Sequence, residues 1–237
     1  MVIRLIIIAI TPVIALAIGI YLTDRHDREP WQILFKVFAL GALSVIPITI
    51  VQRILLSINI FPGIFSIIYT AFIVAGLIEE FFKRSAVMYG AYNDKNFNEK
   101  LDGIVYSVFA SLGFAMVENI MYVVFRYTGN YYVGVMRGIL SVPAHMLFGI
   151  TMGYYLSLSK YTDNNELKNH YYKKSLLMPV ILHGIFNFIL MAKIPVLMVF
   201  FIPYVIYLWI INLRKLNQYT ADSKDKFNRI DNDIEKE

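Results

Sequence analysis

The chain of 237 residues contains no cysteine. Disulfides, thiolate zinc sites and cysteine nucleophiles are excluded, so any chemistry must come from carboxylates, imidazoles, amides and hydroxyls. Charge is scarce as well: 16% of residues are Asp, Glu, Lys or Arg against 58% apolar, where soluble domains carry about 25% and about 45–50%. Long polar segments are missing, which leaves no room for a separate soluble domain and excludes both a soluble enzyme and a disordered chain. Heptad seams, internal repeats and low-complexity tracts are absent too.

What fills the chain is a series of seven apolar stretches, at residues 2–22, 33–56, 61–91, 101–126, 131–158, 172–192 and 194–213. Each is long enough to cross a hydrocarbon core of roughly 30 Å. Val2 to Ile10 is almost continuously apolar, without the alternation of a barrel strand. The expected fold class is therefore all-α, a polytopic membrane bundle of about seven transmembrane helices. Gly63, Gly76, Gly113, Gly134 and Gly149 are spread through these stretches, and small residues let helices approach closely in lipid.

The formal charge of +5 is a matter of placement. Alternate loops and the C-terminal tail carry 14 Lys and Arg, whereas the opposite side has four, Arg4, Arg53, Arg126 and Lys193. The richer side is cytoplasmic by the positive-inside rule, which puts the N-terminus outside and the C-terminus inside. The basic residues thus record topology, and nucleic acid is not an expected partner. A cleaved signal peptide over residues 1–21 would strand Arg25 and Arg28 on the wrong side, so a retained first span is favoured. The expected division is a membrane domain over residues 1–213 and a cytoplasmic charged tail over 214–237, with as many acids as bases in the tail. Such a tail reads as solvated and partly disordered.

An ionisable group in mid-span costs roughly 2.5–3.5 kcal/mol even on the lenient insertion scale, so each one needs a reason. The third span carries Glu79-Glu80-Phe81-Phe82-Lys83-Arg84. The spacing pairs Glu79 with Lys83 and Glu80 with Arg84, yet it does not explain two adjacent acids that point about 100° apart. The fourth span has Glu118-Asn119 with no base within four positions, so Glu118 must find its partner on another helix. The fifth has Arg137, Pro143 and His145. Pro143 should kink that helix by leaving the Ile139 carbonyl free. On the sixth, His183 and Asn187 share a face. His26 and His170 read as loop and surface residues. Glu79, Glu118, His145 and His183 lie at depths that allow one polar cavity built by spans three to six.

These groups suit activation of water. One glutamate of the pair acts as base while His183 and Asn187 donate to a developing oxyanion, with His145 and Glu118 orienting. Zinc is compatible with Glu79, Glu80, Glu118, His145 and His183 as ligands. It is not required, and no His-Glu-x-x-His occurs. Because an amide is a poor zinc ligand and a good donor, Asn187 one turn after His183 points to a site that works with less than one equivalent of metal. A rhomboid-type serine site and a presenilin-type aspartate pair both lack their sequence context. Other functional classes are a proton-coupled transporter, for which the expected repeated halves are absent, and a non-catalytic membrane interaction protein, which leaves the acids unexplained.

Glu79-Glu80-x-x-Lys83, Phe114-x-x-x-Glu118-Asn119, His145-x-x-x-Gly149 and His183-x-x-x-Asn187, in that order on consecutive spans, resemble the PrsW proteases, bacterial intramembrane enzymes distantly similar to CAAX prenyl endopeptidases. The match covers roughly residues 60–195. A CAAX-type endopeptidase is the alternative, since Glu79-Glu80-x-x-x-Arg84 fits that pattern, but Glu118 stands where those enzymes have His. The resemblance implies a multi-pass protease of the bacterial cell membrane, classed as a metallopeptidase. It implies further that the enzyme makes the first cut in a single-span transmembrane anti-sigma factor, so that later proteolysis frees a sigma factor. It points to Glu79, Glu80, Lys83, Glu118, Asn119, His145, His183 and Asn187 as site residues.

Overall fold

A computed structural model describes residues 2–234, with side-chain surroundings over 2–229. Seven helices among the described residues are long and apolar enough to cross a membrane: α1 (Val2–Thr23), α2 (Trp31–Ser57), α3 (Gly63–Gly90), α4 (Lys100–Arg126), α5 (Tyr131–Lys160), α6 (Asn165–Ala192) and α7, of which Pro195–Arg229 is the candidate span. There is no strand among the described residues. The helical bundle expected from the apolar stretches is the fold observed.

The centre is α4, which packs against α1, α2, α3, α5 and α7. Its side chains from Leu101 to Ala115 are all buried. Small residues make this crowding feasible, because in lipid helices associate through close van der Waals contact and not through water exclusion. A Cβ at Gly41 of α2 would run into the Ala110 backbone, and one at Gly113 into the Phe38 carbonyl. On the opposite flank, a Cβ at Gly153 of α5 would lie 2.5 Å from Ile104 Cα and one at Gly149 2.9 Å from the Ser107 carbonyl oxygen. Gly63 is needed for its backbone instead, since its φ of 55° starts α3 from a turn with open space around it.

Gly153→Leu should therefore wedge α4 from α5. Overpacking of this kind costs about 1–3 kcal/mol or more, here against backbone that cannot move aside. The expected outcome is a lower unfolding midpoint in detergent and loss of the monodisperse gel-filtration peak. Gly19→Leu, where nothing lies within 4 Å, should leave both unchanged. Equal behaviour of the two variants would refute the packing argument.

The outward faces of α1, α2 and α7 display Ile3, Ile7, Ile18, Phe35, Ile50, Val199, Phe200 and Ile206. Apolar surface of this extent is far beyond the patches that soluble monomers tolerate and suits contact with lipid. Two expectations need correction. The tail expected to be partly disordered continues α7 as helix to Ile234, because Leu216, Tyr219 and Ser223 find buried positions along it. Lys236, part of the charge count, lies outside the described residues. His170 sits on the exposed first turns of α6 and not in a loop.

Among the described residues, three stretches depart from α-helical winding into π-helical turns, Tyr69–Leu77, Met121–Arg126 and Arg137–Ser141. Each adjoins one of the polar groups in mid-membrane: Glu79 follows the first, Glu118 precedes the second and His145 follows the third. Such turns commonly mark functional sites. The third ends just before Pro143 in the first turn of the following α-helical stretch, so the donor that proline lacks falls where the winding changes.

Candidate active site

Helices α3 and α6 cross where both are glycine. A Cβ at Gly76 would lie 3.1 Å from the Val180 carbonyl oxygen and 3.5 Å from Gly184 N. That close approach lets the side chains one turn further on meet. The Nδ1–H of His183 donates to Glu80 Oε1 at 2.8 Å, and His183 Nε2 lies 3.8 Å from Glu79 Oε2. From α5, His145 Nε2–H donates to Glu118 Oε2 at 3.1 Å on α4, while its Nδ1 accepts from Lys83 Nζ at 3.0 Å. The two imidazoles meet edge to face with centroids 5.3 Å apart. Phe148 stacks on His183, and Phe114 packs against His145.

Lys83 is completely buried and supplies the cluster's positive charge. Its Nζ is 2.8 Å from Glu80 Oε1 and 3.6 Å from Glu79 Oε2, and it lies over the Phe114 ring at 4.3 Å. One ammonium thus answers both adjacent acids. The second intrahelical pair expected from spacing, Glu80 with Arg84, does not form. Glu80 turns inward to Lys83 and His183, whereas Arg84 places its guanidinium over the Tyr172 ring at 3.9 Å.

Glu118 receives Arg137 Nη2 at 2.7 Å, so its counter-ion does come from another helix. Asn119 Oδ1 accepts from Arg137 Nε at 3.0 Å, and its amide donates to the Ala9 carbonyl at 2.9 Å. It therefore anchors α1 and α5 behind the site. Gln52 of α2, which has no sequence pattern to single it out, donates to Glu79 Oε1 at 3.1 Å.

These groups surround a cavity of about 470 Å³ within the membrane region, lined among others by Gln52, Glu79, Glu118, Arg137, His145, His183 and Asn187. Glu80, Lys83 and Asn119 do not line it and form the layer behind. Glu79 is the acid of the pair that faces the cavity, and its Oε2 is buried without a hydrogen bond.

A match to the family model described as PrsW family intramembrane metalloprotease extends over residues 29–211. The chain belongs to this family. It is 42% identical over 94% of its length to Protease PrsW of Clostridioides difficile, covering 94% of that protein. It is 39% identical over 88% of its length to Protease PrsW of Oceanobacillus iheyensis, and 36% over 87% to that of Bacillus subtilis, covering 93% and 91% of those proteins. No solved structure matches the chain. It is a membrane-embedded protease, multi-pass in the bacterial cell membrane, and the transporter and CAAX-type readings fall away.

The family description implies a metal, and the donor set fits one. Ligand atoms from Glu79, His145 and His183 lie within 4.8 Å of one another, and all three residues are buried. Two imidazoles and a carboxylate are an ordinary catalytic zinc set that leaves a position open. Each imidazole also has its other ring nitrogen on a carboxylate, Glu80 for His183 and Glu118 for His145, the arrangement that fixes tautomers around metal ligands. Glu79 Oε2, buried without a hydrogen bond, stands 3.8 Å from His183 Nε2, and an ion held by the two would give both a partner. Lys83 shares His145 Nδ1, so an ion there competes with the ammonium for that nitrogen.

Proposed function

We propose that the enzyme hydrolyses a peptide bond of a single-span transmembrane anti-sigma factor, making the first cut that leads to sigma-factor release. The observation that carries the catalytic part is Glu79, a cavity-lining carboxylate whose Oε2 accepts no hydrogen bond and has its nearest cation, Lys83 Nζ, only at 3.6 Å. A water placed beside it gives up its proton to the carboxylate and attacks the scissile carbonyl, after which the proton passes to the leaving amine. Asn187 lines the same cavity and donates its amide to the oxygen that gains charge. In the tautomer that donates Nδ1–H to Glu80, His183 offers a lone pair at Nε2. That makes it a ligand or acceptor, and the oxyanion falls to Asn187. Glu79 through one oxygen, with His145 and His183, would hold a metal and keep its other oxygen to take the proton; when bound, the metal would supply Lewis-acid polarisation of the carbonyl and acidify water. Glu80, Lys83, Glu118 and Asn119 position those groups.

The substrate assignment rests on membership of the family together with a site buried between transmembrane helices. Its test is co-expression with candidate single-span anti-sigma factors, followed by blotting for a truncated, membrane-retained product. Absence of that product with every candidate, while another membrane protein is cut, would refute the substrate.

The same reading sets the orientation. A reporter fused after Leu216 should be cytoplasmic, and one inserted between Tyr127 and Tyr131 extracytoplasmic, because the Lys and Arg count is so uneven. Reversed reporter activities would invert the arrangement.

A further inference from the structure

A second group of buried acids gathers at one end of the bundle, far along α4 from Glu118. Asp24 follows α1, Glu29 precedes α2, and Glu99 and Asp102 sit at the start of α4. Asp24 and Asp102 are fully buried and Glu99 is 7% exposed. Backbone amides pin one oxygen of each aspartate: Glu29 N–H donates to Asp24 Oδ2 at 3.0 Å, and the amides of Asn98 and Glu99 both donate to Asp102 Oδ2 at 2.7 Å. Asp24 Oδ1 is buried with no hydrogen-bond partner, Asp102 Oδ1 has only the Glu29 carboxyl beside it, and Glu99 reaches no further than its capping box with Asp102 and the neighbouring Ser223 and Lys226. Buried polar groups are normally paired, so carboxylates held on one side and short of donors on the other describe a prepared pocket.

Arg28 and Lys160 act on the group from a distance, and among the described residues only Lys226 forms an ion pair with it. Lys226 Nζ stands 3.6 Å from Glu99 Oε2 and 3.5 Å from Asp27 Oδ2, but it is 42% exposed and shared. Glu29 accepts from the Tyr106 hydroxyl, and its carboxyl also lies against that of Asp102. Ligand oxygens from Asp24, Glu99 and Asp102 lie within 4.8 Å of one another.

We infer that Asp24, Glu99 and Asp102 form a binding site for a divalent cation held by oxygen ligands alone, separate from the catalytic cavity. The donors are hard and contain no imidazole, which selects Ca²⁺, Mg²⁺ or Mn²⁺ over zinc. Calcium, with bonds of about 2.3–2.6 Å and 6–8 oxygen ligands, suits so wide a set of oxygens better than magnesium does, with water completing its shell. A route exists: Glu99 also lines a cavity of about 560 Å³ bordered by Tyr219, Asp222, Ser223, Asp225 and Lys226. A bound ion would tie the loop after α1 to the start of α4, beside the end of α7.

The test uses the full-length protein purified in detergent, dialysed against Ca²⁺, Mg²⁺ or Mn²⁺ and assayed by elemental analysis. One equivalent of at least one of these ions is expected, retained in His183→Ala and weakened about tenfold or more in Asp24→Asn, which keeps an oxygen for Glu29 N–H but loses a charge. Glu99→Gln, which keeps an oxygen for the capping box that Glu99 and Asp102 form at the start of α4 but loses a charge, provides the comparison if Asp24→Asn does not fold. Three outcomes would overturn the inference: no ion bound by the wild type at millimolar concentration, binding unchanged in the acid variants, or binding lost in His183→Ala. The first of these would mean that protons alone balance the acids.

Discussion

Glu79→Gln is expected to lower cleavage of a co-expressed substrate by at least about 10³-fold while the protein remains inserted and folded. General acid–base groups contribute about 10²–10⁴-fold. The amide keeps the size of the carboxylate and an oxygen for Gln52 Nε2–H, whose bond to Glu79 Oε1 is 3.1 Å, but it cannot take a proton from water. Glu80→Gln should behave differently although the two acids are adjacent. Glu80 lies behind the cavity wall, and its work is to hold His183 Nδ1–H and Lys83 Nζ. A glutamine oxygen still accepts from His183, so activity should fall by about 10–100-fold, the usual cost of losing a partner that orients a reacting group. Timed blots of substrate turnover in the two variants decide the matter. An active Glu79→Gln beside an inactive Glu80→Gln would exchange their roles, and two active variants would remove glutamate from the mechanism.

The reason the two acids could not be told apart from sequence is geometric. Adjacent residues on a helix diverge by about 100°, so one of the pair must face away from any cavity, but which one depends on the rotation of α3. That rotation is set by the π-helical stretch Tyr69–Leu77 and by the Gly76–Gly184 crossing. Neither leaves a readable period. The seven spans were legible because lipid demands long apolar runs. The convergence of Glu79, Glu118, His145 and His183 followed from the expense of burying each alone. The Glu80–Arg84 pair failed because spacing reports only that two side chains can meet, whereas tertiary partners decide whether they do. Gln52 and the acids around Asp102 were not legible at all, since a single polar residue near a span end has an ordinary explanation until its neighbours are known. Helical continuation of α7 past Lys215 was hidden by the balanced charges of the tail, which look solvated in sequence while Tyr219 packs against Tyr154.

Purified protein should hold one equivalent of zinc, lose activity on chelation and regain it when zinc is returned. This reverses the expectation drawn from the amide of Asn187, and the tautomer of His183 is the reason. An oxyanion donor at His183 needs Nε2–H, whereas the ring tautomer that donates Nδ1–H to the Glu80 carboxylate at 2.8 Å carries no proton on Nε2. The Nε2 lone pair then faces Glu79 Oε2 at 3.8 Å, both groups being acceptors. Two acceptors confronting one another in a buried site call for a cation or a proton between them. Lys83 reaches Glu79 only at 3.6 Å, and its closer bonds go to Glu80 and His145. His183→Ala and His145→Ala should each lose the metal together with activity, and Glu80→Gln should bind it about 10–100-fold more weakly. Asn187→Ala should keep a full equivalent while turnover falls by about 10²–10³-fold, the loss seen when one oxyanion donor is removed. Full activity in protein shown by elemental analysis to be free of metal would leave Glu79 as an unaided base and require a proton, not an ion, between it and His183.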